Sequence, residues 1–159
     1  MQLSGFVGWL VVCFAAGGIG AIASADAGTF YSQLEQPTWA PPGWVFAPVW
    51  SALYLAMAVS AWLAWRNATG GPHRARALAL FAAQLAANAL WSWLFFAWHL
   101  GGVALVEVLL LWLLIAATAI AFWQITWIGS LLLVPYLLWV SFAAALNAAL
   151  WLANPNLLG

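Results

Sequence analysis

The chain has 159 residues, 68% of them hydrophobic and only 4% charged, with three basic and three acidic side chains that cancel. A soluble domain carries about 25% charged residues and cannot hide this much apolar surface, so the chain reads as an integral membrane protein. Its neutral balance offers nothing to nucleic acid, and its lone cysteine, Cys13, excludes an internal disulfide.

Five apolar runs of about 20 residues, roughly 5–25, 45–65, 76–98, 102–124 and 130–152, are each long enough to cross a bilayer as a helix. They are continuous rather than alternating, which excludes a barrel. The predicted fold is therefore all-α: one transmembrane domain over 1–159, a bundle of five helices with a long structured first loop.

The N-terminus, MQLSGFVGWL, has no basic residue ahead of the first apolar run and is expected to start a retained span rather than a signal peptide. Gly17, Gly18, Gly20 and Ala21 bring small residues to its outer half. The first connection, about 26–44, holds Asp26 and Glu35 and runs into PTWAPPGWVFAPVWSALY (37–54), with four prolines and three tryptophans. Pro37, Pro41 and Pro42 donate no backbone hydrogen bond and hold their neighbours extended, so Trp39 and Trp44 are expected on a stiff, non-helical arm. From Val45 a helix tolerates Pro48 in its first turns, and Trp50 and Tyr54 share one face of it. Two readings fit this stretch: a loop of interfacial anchors, or a lid leading into an aromatic-lined pocket.

All three basic residues, Arg66, Arg74 and Arg76, flank the short second connection. Cationic loops stay cytoplasmic, which places the N-terminus and second loop inside, and the first loop and C-terminus outside, for a protein of the inner membrane. On the third span Gln84, Asn88, Trp91 and Phe95 form one stripe, polar at its start. A second stripe, Ala75, Ala79, Ala83 and Ala87, permits close helix approach, either within the bundle or as a homodimer seam. Turns are expected at Gly101-Gly102 and between Thr126 and Gly129. The fifth span repeats the polar–aromatic pattern in Tyr136, Trp139 or Val140, Ala143 and Asn147.

Polar side chains at membrane depth face other helices or a cavity. At 1.5 Å per residue, Trp50, Asn88, Trp91, Ala143 and Asn147 all lie within about 15 Å of the outer end of their spans, on the side of the Trp39–Trp44 arm. A cavity under the first loop accounts for that coincidence better than scattered interhelical hydrogen bonds do. Trp139 is deeper, about 20 Å from the outer end, and would form the floor. Of the 14 tryptophans, Trp62, Trp65, Trp98, Trp123, Trp127 and Trp151 fall near span ends as headgroup anchors. The deeper Trp50, Trp91, Trp112 and Trp139 need partners for their N–H groups.

Catalytic chemistry is thin. Glu107 is the only acid within a span and is expected either to reach the interface or to pair with His99. His73 and His99 sit on opposite faces, which leaves no metal site, and there is no phosphate loop, nucleophile set or carboxylate pair.

PTWAPPGWVFAPVWSALY, QLAANALWSWLFF (84–96) and VPYLLWVSFAAALN (134–147) together resemble the translocator protein family, also called tryptophan-rich sensory proteins or peripheral benzodiazepine receptors. The resemblance covers essentially the whole chain in order. It implies a five-helix bundle, commonly a homodimer, that binds porphyrin or haem near the first loop, with no cofactor required. It implies ligand contacts at Trp50, Asn88, Trp91, Trp139 and Ala143, to which the arm and the helical stripes add Trp39, Tyr54 and Asn147. Light-dependent porphyrin breakdown, linked to two tryptophans in some bacterial members, would fall on Trp50 and Trp139. The sterol pattern of animal members, a tyrosine followed by Lys or Arg, is absent, since no basic residue follows Arg76. Without a basic residue on the outer side, porphyrin propionates would need water, indole N–H, Asn side chains or backbone amides.

The leading expectation is thus a tetrapyrrole-binding membrane receptor or regulator. The alternatives are photo-oxidative porphyrin degradation and transport of porphyrin or a precursor; for transport the sequence shows no inverted repeat and no broken-helix pair.

Overall fold

The computed structural model describes residues 2–68 and 70–159. Among them there is no strand. Five stretches are long and apolar enough to span a membrane: Leu3–Ala23, Gly43–Asn67, Gly71–Ala97, Gly101–Trp123 and Trp127–Ala153. They contain the helices α1 (Gln2–Ala23), α3 (Phe46–Asn67), α4 (Gly71–Ser92), α5 (Gly101–Trp123) and α7 (Val134–Ala153). Three short helices lie between or after them: α2 (Ala27–Gln33), α6 (Trp127–Leu131) and α8 (Pro155–Leu158).

Each span buries one stripe and turns the other outward. On α5 the inward set is Ala104, Glu107, Val108, Leu111, Ile115, Thr118 and Phe122, while Val106, Leu109, Leu110, Leu113 and Ile120 are exposed. An apolar outer face of this extent is tolerable only in lipid. α5 packs against α4 and α7, and α1 packs against α3 and α4. α3 and α7 make little backbone approach to one another.

Two buried clusters result. The inner one joins Cys13, Met57, Phe81, Ile115, Phe122 and Tyr136. The outer one joins Phe30, Tyr31 and Leu34 of the first loop to Leu94, Phe95, Leu146, Leu150 and Leu158. The first loop is therefore part of the core, because it contributes three large side chains that bury against three different spans or their ends.

Several sequence expectations change. The first connection is not wholly extended: α2 forms inside it, and a 3-10 turn at Gly43–Val45 precedes α3. The third span ends in a π-helical turn over Trp93–Ala97, and the chain reverses at Trp98–Leu100 with His99 in the left-handed region, φ 55°. Gly101 and Gly102 open α5 instead of making that turn. A Cβ on Gly101 would lie 2.9 Å from Leu158 Cβ and from Trp151 Cδ1, so glycine is required there for close packing of the C-terminal residues. The fifth span is interrupted: α6 stops at Leu131, and α7 starts at Val134 with Pro135 in its first turn. His99 stacks on Phe30 at 4.0 Å and 11° rather than pairing with Glu107, whose buried carboxyl oxygens meet no hydrogen-bond partner among the described residues.

Candidate functional site

The gap between α3 and α7 at the first-loop end of the bundle is a cavity of about 550 Å³, within the usual range for small-molecule sites of about 300–1,000 Å³. α1 supplies Phe14, Gly17, Gly18, Gly20 and Ala21; α3 supplies Phe46, Ala47, Trp50, Ser51 and Tyr54; α4 and its π turn supply Asn88, Trp91, Ser92 and Phe96; α7 supplies Trp139 and Ala143. Ala27, Gly28 and Tyr31 of α2 line it from the first loop. Gly17 of α1 has a steric reason: a Cβ there would sit 2.7 Å from the Tyr54 ring. Among the described residues, no charged side chain lines this cavity.

The aromatic wall is built from three ring clusters. Trp50 lies 5.7 Å from Tyr54 and 6.2 Å from Tyr136, while Trp139 lies 5.9 Å from Phe46 and 5.4 Å from Phe142. Trp91 stacks on Phe95 at 5.4 Å with Phe96 edge-on at 5.7 Å. Such offset and edge contacts fix the rings and leave their remaining faces to the cavity.

The polar groups are mostly committed. Tyr54 donates its hydroxyl to Asn88 Oδ1 at 2.6 Å, and Asn88 Nδ2 donates to the Tyr136 hydroxyl at 2.8 Å. Asn88 is 3% exposed, so it orients two tyrosines beneath the cavity more than it offers itself to a ligand. Trp91 Nε1 donates to Asn147 Oδ1 at 3.1 Å, and Asn147 Nδ2 donates to Gly101 O at 2.9 Å. Trp112, the other deep tryptophan, donates to Ser141 Oγ at 2.8 Å. The hydroxyls of Ser24 and Ser51 donate to carbonyls one turn back, and the Tyr31 hydroxyl, which burial pushes above its ordinary pKa, donates to Pro41 O. Among the described residues, the indole N–H groups of Trp50 and Trp139 meet no protein acceptor. They are the uncommitted donors on facing walls.

Six of the eight residues proposed for ligand contact, Trp50, Tyr54, Asn88, Trp91, Trp139 and Ala143, therefore come together. Two do not line the cavity. Trp39 packs edge-on against Phe142 at 5.8 Å and is half exposed, because the proline arm carries it past the roof to the outside of α7. Asn147 is buried behind Trp91, where its amide is consumed by Trp91 and Gly101. The pattern reading missed Phe46, Ala47, Ser51 and Phe96. Ala47 and Ser51 continue the Trp50–Tyr54 face at helical spacing, and Phe96 follows Asn88 and Ser92 at steps of four, so periodicity alone could have found them. Tyr31 left no such signal.

A second hollow of about 440 Å³ lies on the other side of α2, lined by Asp26, Thr29, Phe30, Gln33, Phe96 and His99 among others. α2 and Phe96 thus separate two spaces, and only the larger is walled by tryptophans from three spans.

The alanine stripe divides. Ala75, Ala79 and Ala83 are exposed on the outer face of α4, whereas Ala87 is half-buried against the inner core. Packing within one subunit therefore does not account for the first three. No group of three or more metal-ligating side chains occurs among the described residues.

Five apolar spans around an uncharged aromatic cavity define an all-α multi-pass membrane protein with its interior space near one membrane face. The chain belongs to the TspO/MBR family, which matches it over residues 9–152. It is 39% identical to protein CrtK of Rhodobacter capsulatus over 156 residues, which is 98% of this chain and 96% of that one. It is 41% identical to the tryptophan-rich sensory protein of Cereibacter sphaeroides over 143 residues, 89% and 86% of the two chains. It is 40% identical to the translocator protein of Homo sapiens over 126 residues, 79% and 75%.

Proposed function

We propose that this chain is a membrane receptor or regulator that binds a flat tetrapyrrole, porphyrin or haem, in the cavity under α2. The observation that carries the reading is the neutral aromatic enclosure with two uncommitted indole donors, Trp50 and Trp139, on facing walls. A macrocycle gains by stacking there. Its carboxylates find no cation among the lining residues, and the Trp91 and Asn88 groups are already engaged. The two indole N–H groups of Trp50 and Trp139 are the donors left to meet them.

Protoporphyrin IX titrated against tryptophan fluorescence tests the reading. Ala143→Phe fills the cavity and abolishes binding while the protein stays folded; unchanged affinity in a folded Ala143→Phe protein would place the porphyrin elsewhere.

A second reading, photo-oxidation of bound porphyrin, is favoured by the fact that both oxidisable rings, Trp50 and Trp139, line one cavity. We also place a second copy of the chain against the exposed Ala75, Ala79 and Ala83 face, and the Arg66–Arg76 end in the cytoplasm.

A further inference from the structure

We infer that Asn154 is a latch on the roof of the cavity and sets how fast ligand enters and leaves. This rests on reading the cavity as a tetrapyrrole site. Asn154 stands at the junction of α7 and α8, 8% exposed and 119 residues from the loop residue it holds. Its Oδ1 accepts the Glu35 N–H at 2.8 Å, and its Nδ2 donates to the Glu35 carbonyl at 3.0 Å and to Leu150 O at 2.9 Å. The carboxamide thus pairs with Glu35 at two points, as a neighbouring strand's peptide would.

Glu35 is the place where such a bond controls the roof. Leu34, with ψ 142°, turns the chain out of α2 into the extended proline arm, so Glu35 is the first residue beyond the roof helix. Tyr31 to Pro41 O and Gln36 Nε2 to Tyr31 O tie the arm back to α2. The loop therefore moves as one body, joined to α1 at the turn after Ala23. Among the described residues, the hydrogen bonds that fasten this body to another span all run through Asn154. Its other attachments are apolar or ring contacts, such as Phe30 on His99 and Trp39 on Phe142.

Asn154 does not line the cavity. Its bonds to Glu35 hold the roof shut equally with the cavity empty or filled, so breaking them speeds entry and exit together and leaves affinity nearly unchanged. Only the backbone of Glu35 is used, so the side chain at 35 is free. The backbone caps at the junction also survive a change of side chain, since Asn154 N–H donates to Leu150 O and its carbonyl accepts from Leu157 and Leu158 N–H.

The test uses the whole chain in lipid nanodiscs with two substitutions, Asn154→Leu and Glu35→Pro. The second removes the N–H donor from the loop side, and the extended Leu34 already suits a following proline. Hydrogen exchange over residues 31–36 reads the latch without any ligand, and stopped-flow quenching by protoporphyrin IX reads the gate. Amide exchange over 31–36 is expected to rise in both variants, with association and dissociation constants each about tenfold higher, the effect of about one net hydrogen bond, and Kd within about twofold. Unchanged amide exchange in both folded variants overturns the latch. Faster amide exchange with unchanged porphyrin rates overturns the gating, as does a rise in dissociation alone. If the parent protein binds no protoporphyrin, the cavity reading fails and takes the gating with it, while amide exchange still reports the tether separately.

Discussion

Trp91 and Asn147 are joined across the bundle by one hydrogen bond of 3.1 Å, and the asparagine's other end is held by the Gly101 carbonyl. That bond decides which of the two residues faces the cavity. Trp91 presents its ring; Asn147, 1% exposed, backs it and ties α4 to the first turn of α5 through α7.

Asn147→Leu is accordingly expected to act on stability and on the Trp91 ring together. Loss of a buried acceptor leaves the Trp91 N–H unpaired in a low-dielectric site, at a cost of about 1–3 kcal/mol. The melting temperature in detergent should fall, and binding should weaken without any residue of the cavity wall having been changed. An unchanged melting temperature would mean that Trp91 finds another acceptor.

The spans were legible because crossing a bilayer demands uninterrupted apolar length, and the shared depth of Trp50, Asn88, Trp91 and Ala143 was legible because a helix rises uniformly. What lay beyond reach depended on partners distant in sequence. α2 is only AGTFYSQ, and it is held by Phe30 and Tyr31 packing among Leu94, Phe95 and Leu146. Gly101-Gly102 looks like a turn to any local rule, yet it answers to Trp151 and Leu158, some 50 residues later. The stripe containing Asn147 was correctly periodic, but periodicity does not say whether an amide meets ligand or a neighbouring indole.

The exposed Ala75–Ala83 face predicts an interface between copies. Ala83→Leu adds bulk where small residues let helices approach, and the dimer fraction in detergent should drop toward monomer. Because Ala83 is exposed in its own subunit, the stability of the isolated chain should change by less than about 0.5 kcal/mol. A dimer fraction identical to the parent's would assign this face to lipid.

The arginines set up a test of orientation. Arg66 lies over the Trp62 ring at 4.6 Å and Arg74 over the Trp65 ring at 5.4 Å, so the cations and their aromatic anchors mark one membrane boundary. A cysteine probe at the tip, Gly71, would be strained by φ 80°, which makes exposed His73→Cys the better site. Native Cys13 is fully buried and gives little background. In intact cells, His73→Cys should resist an impermeant thiol reagent that labels a cysteine at Trp44; labelling of His73→Cys before lysis would invert the topology.

Trp50 and Trp139 separate binding from chemistry. Each contributes a large ring to the wall and an N–H that meets no acceptor among the described residues. Replacing either by alanine removes buried aromatic surface and should weaken protoporphyrin IX binding by about 1–3 kcal/mol. Replacing either by phenylalanine keeps most of that surface and deletes the donor, so binding should weaken by only about 0.5–1.5 kcal/mol. Photo-oxidation makes a different demand, because it needs a ring that gives up an electron, and phenylalanine is much harder to oxidise than tryptophan. If light-driven loss of porphyrin absorbance runs through these residues, Trp50→Phe and Trp139→Phe should slow it under saturating ligand, with the dark control flat throughout. Both quantities come from one preparation, by fluorescence titration and then absorbance decay under illumination. Decay in the phenylalanine variants at the parent's rate would leave these tryptophans as binding surface only, and unchanged affinity in both alanine variants would remove the ligand from this cavity altogether.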